Sequence, residues 1–195
     1  FLAACATGNY GRYAGGLPAP DRSSPEYRYY RTLALEKALI PYGRNGRFAN
    51  REMNARYITV HSTANLDATA RNHADALRNG KLSVNPRGLN RTGYLTWHFS
   101  VDDVSAFQHL PTGEQGEHAD YSGPGNLYSI GIEICEFTDP IRQAAAVDRA
   151  ARLAAWLVET HEIPMRRVVP HYHWPRWPNN WHKPCPRIFM TGDKP

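Results

Sequence analysis

Alternation of apolar and polar positions begins clearly at Tyr57. In "YITVHST", Ile58 and Val60 alternate with Thr59 and His61, the period of a half-buried strand. Leu66, Ala70, Ala74 and Leu77 then recur at helical spacing up to Gly80, which predicts a helix over 65–79. "YLTWHFSV" (94–101) alternates again, Asp102-Asp103 marks a turn, and "SAFQHL" supplies the returning strand of a hairpin. In "SIGIEICEF", Ile130, Ile132 and Ile134 face one way, and Gly131, Glu133 and Cys135 face the other. Residues 140–161 read as the longest helix: Thr138 or Asp139 caps it and Pro140 suits its first turn. Ile141, Val147, Ala151, Ala154, Leu157 and Val158 make its apolar stripe. "RRVVPHYH" gives a last short strand. The fold class is therefore α/β, a mixed central sheet flanked by helices.

Upstream of Tyr57 the pattern weakens. Residues 6–25 are rich in Gly, Pro, Ser and Ala and read as a flexible tether. Residues 26–55, with a short helix expected over Tyr29–Leu39, read as an arm packing on the domain that fills 56–195. "FLAAC" resembles the tail of a bacterial lipoprotein signal, so that 1–25 is expected to hold a signal remnant with Cys5 as an acylated membrane tether.

Composition narrows the partners without choosing one. Of 195 residues, 42% are hydrophobic and 21% charged, which excludes a disordered or fibrous chain. The net charge of +5 favours anionic partners, yet the bases are scattered and follow no zinc-finger or basic-run pattern. We therefore expect no nucleic-acid partner; a polyanionic cell wall fits the charge. The three cysteines cannot build a disulfide framework, although Cys135 with Cys185 would make one pair.

The chemistry concentrates in "HYHWPRWPNNWHKPCP", 171–186, a proline-stiffened loop dense in histidine and tryptophan. Strand alternation sets His61 and Glu133 opposite the apolar side chains of their own strands, so both can project from one face of the sheet. A catalytic zinc takes three protein ligands of imidazole and thiolate type and keeps an open position. His61, a histidine of the 171–173 pair, and Cys185 would supply the three. Glu133 then suits a general base, and Lys183, two residues before Cys185, suits an oxyanion stabiliser. Together these groups describe amide hydrolysis.

"ITVHSTAN", "TWHFSVDD", "GPGNLYSIGIEICEF" and "HYHW…KPCP" resemble, in this order, the motifs of zinc-dependent N-acetylmuramoyl-L-alanine amidases of the phage endolysin and bacterial autolysin type. That family is related to peptidoglycan recognition proteins, and the similarity spans residues 57 to 190. It implies a mixed sheet flanked by helices, Zn2+ as cofactor, and cleavage of the bond between N-acetylmuramic acid and L-alanine in peptidoglycan. Matched motif by motif, the metal ligands fall on His61, His171 and Cys185, the catalytic glutamate on Glu133 and the lysine on Lys183. His171 is chosen because the family's "HxxW" matches His171 to Trp174. "GEHADYSGPGN" resembles the substrate-side loop. We expect a monomer of the periplasm or cell envelope, or alternatively a phage lysin acting on the wall.

Two departures bear on these assignments. The loop from Trp174 to His182 is longer than usual, which keeps His173 and His182 as rivals of His171. Trp97 stands where one branch has an assisting tyrosine, so Glu133 carries the proton alone. Trp174, Trp177 and Trp181 either form a sugar-stacking platform or pack the loop onto the domain. His98 reads as structural; His109 and His118 read as substrate contacts or exposed residues. A rival function is a muropeptide-binding module that does not cut, against which the joint presence of His61, Glu133 and Cys185 argues. Another is a cysteine peptidase using Cys185, which flanking prolines and the lack of a helix N-terminus disfavour.

Overall fold

The computed structural model describes residues 13, 15–49, 51–84, 91–176 and 179–190. Cys5 and Trp177 lie outside these residues. Six strands form one sheet in the order β1-β4-β3-β5-β2-β6. They are β1 (Leu35–Lys37), β2 (Tyr57–Leu66), β3 (Phe99–Val101), β4 (Ala106–Gln108), β5 (Ser129–Glu136) and β6 (Val168–Pro170). Only the β3–β4 hairpin pairs antiparallel; every other neighbour is parallel. The sheet is thus mixed, and β5 lies at its buried centre between β3 and β2.

Helix α4 (Pro140–His161) covers one face of the sheet. Asp139 caps it by accepting from the amides of Ile141 and Arg142, and Pro140 occupies the first turn. Its buried residues are Ala146, Ala150, Leu153, Trp156 and Leu157, which meet Ile130, Ile132 and Ile134 in the main core. The stripe expected from the sequence is rotated: Ile141 is 78% exposed, Ala151 is exposed, and Val147, Ala154 and Val158 are half-buried. Ala146 and Ala150 share the buried face with Leu153, Trp156 and Leu157. Helix α2 (Ala70–Arg78) lies over the other face, where Cys135 Sγ approaches His73 Nδ1 at 3.7 Å.

Two helix boundaries differ from expectation. β2 continues to Leu66, Asp67 takes a left-handed conformation (φ 61°), and Thr69 caps α2 with Asn72 completing a capping box. Leu66 matches the helical spacing by coincidence and is 56% exposed. The helix expected over Tyr29–Leu39 stops early: α1 spans only Tyr27–Tyr30, Ala34 is left-handed (φ 46°), and 35–37 joins the sheet as an edge strand. A single β-turn-like residue at Ala34 converts the helical reading into strand pairing. Likewise only Phe99–Val101 of the 94–101 stretch enters the ladder.

Buried ion pairs fix the segment that reaches the site. Arg47 meets Glu114 through two 2.8 Å bonds, and Arg51 meets Glu117 at 2.6 Å. All four side chains are at most 9% exposed. Arg51 therefore belongs to an internal clamp, not to a basic surface.

His98 and His109 are fully buried. His98 donates from Nε2 to the carbonyl of Glu114 and accepts at Nδ1 from the amide of Gly131, which requires the neutral ring. Burial lowers its pKa from 6.5 to about 4, and burial lowers that of His109 from 6.5 to about 3. Below pH 6.5 the unfolded chain gains protons here that the folded chain does not. The stabilisation is therefore complete above the unfolded value and is lost as pH falls toward the folded ones. In denaturant titrations with chelator these two histidines are together expected to remove about 4 kcal/mol of stability between pH 7 and pH 5, partly offset by the raised pKa of Glu133. H109Q should flatten that slope by about 1 to 2 kcal/mol, the share of one such group. An unchanged slope would mean that His109 is protonated inside the fold.

Candidate metal centre

Parallel pairing of β2 with β5 sets His61 directly beside Glu133, and β3 places Ser100 on the other side of Glu133. The loop after β6 brings the remaining groups. His171 begins a single 3-10 turn (His171–His173), and the amide of Tyr172 donates to the carbonyl of Cys185 at 3.0 Å. Between them, β7 (Pro175–Arg176) and β8 (Trp181–His182) form a small antiparallel hairpin, so the long loop returns on itself. Beyond Cys185, the Arg187 amide donates to Ser62 Oγ at 3.0 Å and its guanidinium to Glu136 at 2.6 Å. These anchors hold the cysteine against β2.

Among the described residues, His61, His171 and Cys185 form a buried group whose ligand atoms lie within 4.8 Å of one another. His61 Nδ1 is 2.9 Å from His171 Nδ1 and 3.9 Å from Cys185 Sγ. The rivals of His171 are placed elsewhere. His173 is exposed and meets the Trp174 ring edge to face, while His182 bonds the carbonyl of Tyr172 at 2.6 Å. Cys135 and Cys185 are both free, which overturns their pairing as a disulfide.

Hydrogen-bond accounting determines which imidazole nitrogens carry protons. His171 Nε2 faces the carbonyl of Ala119 at 3.1 Å, so it must donate, and its Nδ1 keeps a lone pair. His118 Nε2 faces the carbonyl of Ser129 at 3.3 Å and donates likewise. Its Nδ1 is then an acceptor for His61 Nε2 at 3.0 Å, which leaves His61 Nδ1 as a second lone pair. The two Nδ1 atoms, 2.9 Å apart, thus point lone pair at lone pair. That contact is repulsive without a cation, and imidazole, imidazole and thiolate are donors that zinc accepts. The residues fit a zinc ion.

Electrostatics agree. Burial, reinforced by the neighbouring imidazoles and Lys183, lowers the pKa of His61 well below 6.5. Burial, with Lys183 and Arg176, lowers that of His171 to about 3. Both rings are therefore neutral and ready to bind metal. Burial pushes the Cys185 thiol up to about 12, with Glu133 adding to the effect. A lone thiol of this kind is a poor nucleophile, which removes the basis for a cysteine peptidase; a nearby cation would reverse the shift.

Glu133 stands next to this group. Its Oε1 is 3.9 Å from His61 Nδ1, and its Oε2, although buried, has no hydrogen-bond partner. Burial raises its pKa to about 8, and Lys183 opposes the rise. Glu133 and Lys183 line one cavity with Trp97, Tyr121 and Arg176. Trp97 donates its indole N–H to Ser100 Oγ at 2.8 Å and forms a wall.

The sequence did not reveal that His118 bonds His61, nor that Arg176 lines the same cavity. His109 is fully buried, contrary to the expectation of substrate contact or exposure; His118 is buried too, but lines the cavity that holds Glu133 and Lys183. The signal for His118 was Gly131 in the middle of β5: a Cβ there would lie 2.9 Å from three atoms of the His118 ring, so the glycine admits the imidazole. The short helix α3 (Pro124–Tyr128), which opens on the GPGN segment, completes the support, since Asn126 Oδ1 accepts from the amides of His118 and Ala119. Trp174 is buried and donates to Thr59 Oγ1 at 2.9 Å, so it packs the loop; Trp181 is 52% exposed.

Residues 51–188 match the family model described as N-acetylmuramoyl-L-alanine amidase. The N-acetylmuramoyl-L-alanine amidase XlyA of Bacillus subtilis is 41% identical over 158 residues, 77% of this chain and 46% of that protein. The corresponding enzyme CwlH of the same organism is 39% identical over 164 residues, 81% of this chain and 57% of that protein. The chain thus spans about half the length of these curated relatives. A solved structure of the catalytic domain of XlyA superposes with a TM-score of 0.63 at 41% identity, covering 79% of this chain and 90% of that one. A mutant endolysin from Bacillus subtilis gives 0.66 at 40% identity, covering 80% and 91%. With the family model matching most of its length, the chain belongs to the N-acetylmuramoyl-L-alanine amidase family.

Proposed function

We propose that this domain hydrolyses the amide between the lactyl group of N-acetylmuramic acid and the L-alanine of the peptidoglycan stem peptide. The observation that carries the reading is the juxtaposition of paired Nδ1 lone pairs and a thiol with an unpartnered Glu133 oxygen. His61, His171 and Cys185 would hold the zinc, which when bound acidifies water and polarises the amide carbonyl.

The chain's own residues supply the rest. Glu133 Oε2 has no internal partner, so it is available to take a proton from the attacking water. A carboxyl whose pKa sits near neutrality can then return that proton to the departing L-alanine nitrogen. Lys183 lines the same cavity and brings an ammonium to the developing oxyanion. Trp97 and the His118–Ala119 segment wall the cavity and restrict water. Peptidoglycan lies outside the cytoplasmic membrane, so the site of action is the cell wall, reached from the envelope or by a phage lysin.

The test is release of stem peptides bearing a new L-alanine amino terminus from purified wall. Release should stop with chelator and return with zinc. Wall binding without such release would instead support the non-cutting module.

A further inference from the structure

Arg176, on the hairpin that lengthens the loop, has a role the proposed reaction leaves unassigned. Its Nε donates to the carbonyl of Ala119 at 3.1 Å. The same carbonyl accepts from His171 Nε2, also at 3.1 Å, so both its lone pairs are occupied. Arg176 Nη2 lies 3.4 Å from His171 Nε2, but that nitrogen already bears a proton. Two donors face each other there, and no hydrogen bond joins them. Among the described residues Arg176 has no ion pair.

The guanidinium is nevertheless held in place. Its Cζ lies 5.2 Å from the Tyr121 ring centroid and 5.8 Å from that of Trp181. Aromatic contacts of this kind orient a guanidinium without neutralising it. The result is a half-buried cation with free donors on the wall of the cavity that also holds Glu133 and Lys183. An Arg fork of this kind matches a carboxylate in two parallel bonds.

Resting on the amidase reading, the chemistry of the substrate selects the anion. The single acid of N-acetylmuramic acid is the lactyl carboxyl, which is consumed in the amide to be cut. The glycan beside the bond is therefore uncharged, and negative charge nearby comes from free carboxylates of the stem peptide beyond L-alanine. We propose that Arg176 is a specificity-determining residue that binds a stem-peptide carboxylate and favours the acid over its amide.

The test compares two synthetic muropeptides that differ only in whether the α-carboxyl of the second stem residue is free or amidated. The parent should favour the acid by about tenfold or more in kcat/KM, mostly through KM, the size of one charge-assisted bond. R176M should erase the preference, bringing kcat/KM for the acid to within about twofold of that for the amide, with the loss carried by KM of the acid. R176K, which keeps charge but not the fork, should recover part of the preference. Equal rates for acid and amide in the parent, or an undiminished preference in R176M, would overturn the proposal. Calorimetry with the free stem peptide supplies a readout independent of cleavage. If neither muropeptide is cut but the acid peptide binds through Arg176, the amidase reading fails and this inference stands. A poly(glycerol phosphate) probe separates the other anion source: tighter Arg176-dependent binding of that polymer than of the peptide overturns it.

Discussion

A C185S protein is expected to lose its metal and its activity together. Zinc content should fall from about one ion per chain to about a tenth or less, and kcat/KM by on the order of a thousandfold or more. The cause is charge as much as geometry. In the proposed site Cys185 would supply the single anionic donor beside two neutral imidazoles, and a serine hydroxyl does not ionise near neutral pH to replace it. The fold should persist, because the loop is held by Arg187 to Ser62 and Glu136 and by the Tyr172 amide, none of which involves the sulfur. Metal analysis after dialysis, beside circular dichroism, measures both. A C185S protein that kept stoichiometric zinc and parental activity would remove Cys185 from the site.

E133Q is expected to separate the two properties. Activity should fall by about a hundredfold to ten-thousandfold, the usual worth of a general base. Zinc content should be unchanged, because Glu133 Oε1 stands 3.9 Å from His61 Nδ1 beside the ligand group and not within it. Stability should hold or rise, since the amide has no charge to desolvate in a buried position. The paired outcome distinguishes a proton carrier from a ligand. Loss of zinc in E133Q, or activity within tenfold of the parent, would refute the assignment.

Much of this was readable in the sequence because period-two alternation is a strong physical signal. It placed His61 and Glu133 on one face, and parallel register then set them side by side. The cap at Asp139 and the end of α4 also follow local rules. What sequence spacing did not give was context. Leu66 and the 29–39 stretch fit helical periodicity, yet left-handed residues at Asp67 and Ala34 redirect the backbone into strands. The buried stripe of α4 is turned toward Ala146, Ala150, Leu153 and Trp156, and of the expected stripe only Leu157 is fully buried. The "HxxW" likeness chose His171; only tertiary structure separates it from His173 and His182, three imidazoles within twelve residues. His118 and Arg176 act through neighbours distant in the chain, so no local pattern reports them.

The carbonyls of Ser129 and Ala119 carry a thermodynamic consequence. By settling where the imidazole protons reside, they leave Cys185, among the three residues proposed to hold the ion, as the one that still bears an exchangeable proton on its donor atom. With that assignment the ligands themselves give up a single hydrogen ion on loading, so above the pH at which the Glu133 carboxyl has ionised, affinity should climb about tenfold for each unit of alkalinity until the thiol ionises. The backbone, through two peptide oxygens, chooses which nitrogen of each ring stays open to the ion, while burial keeps both rings uncharged.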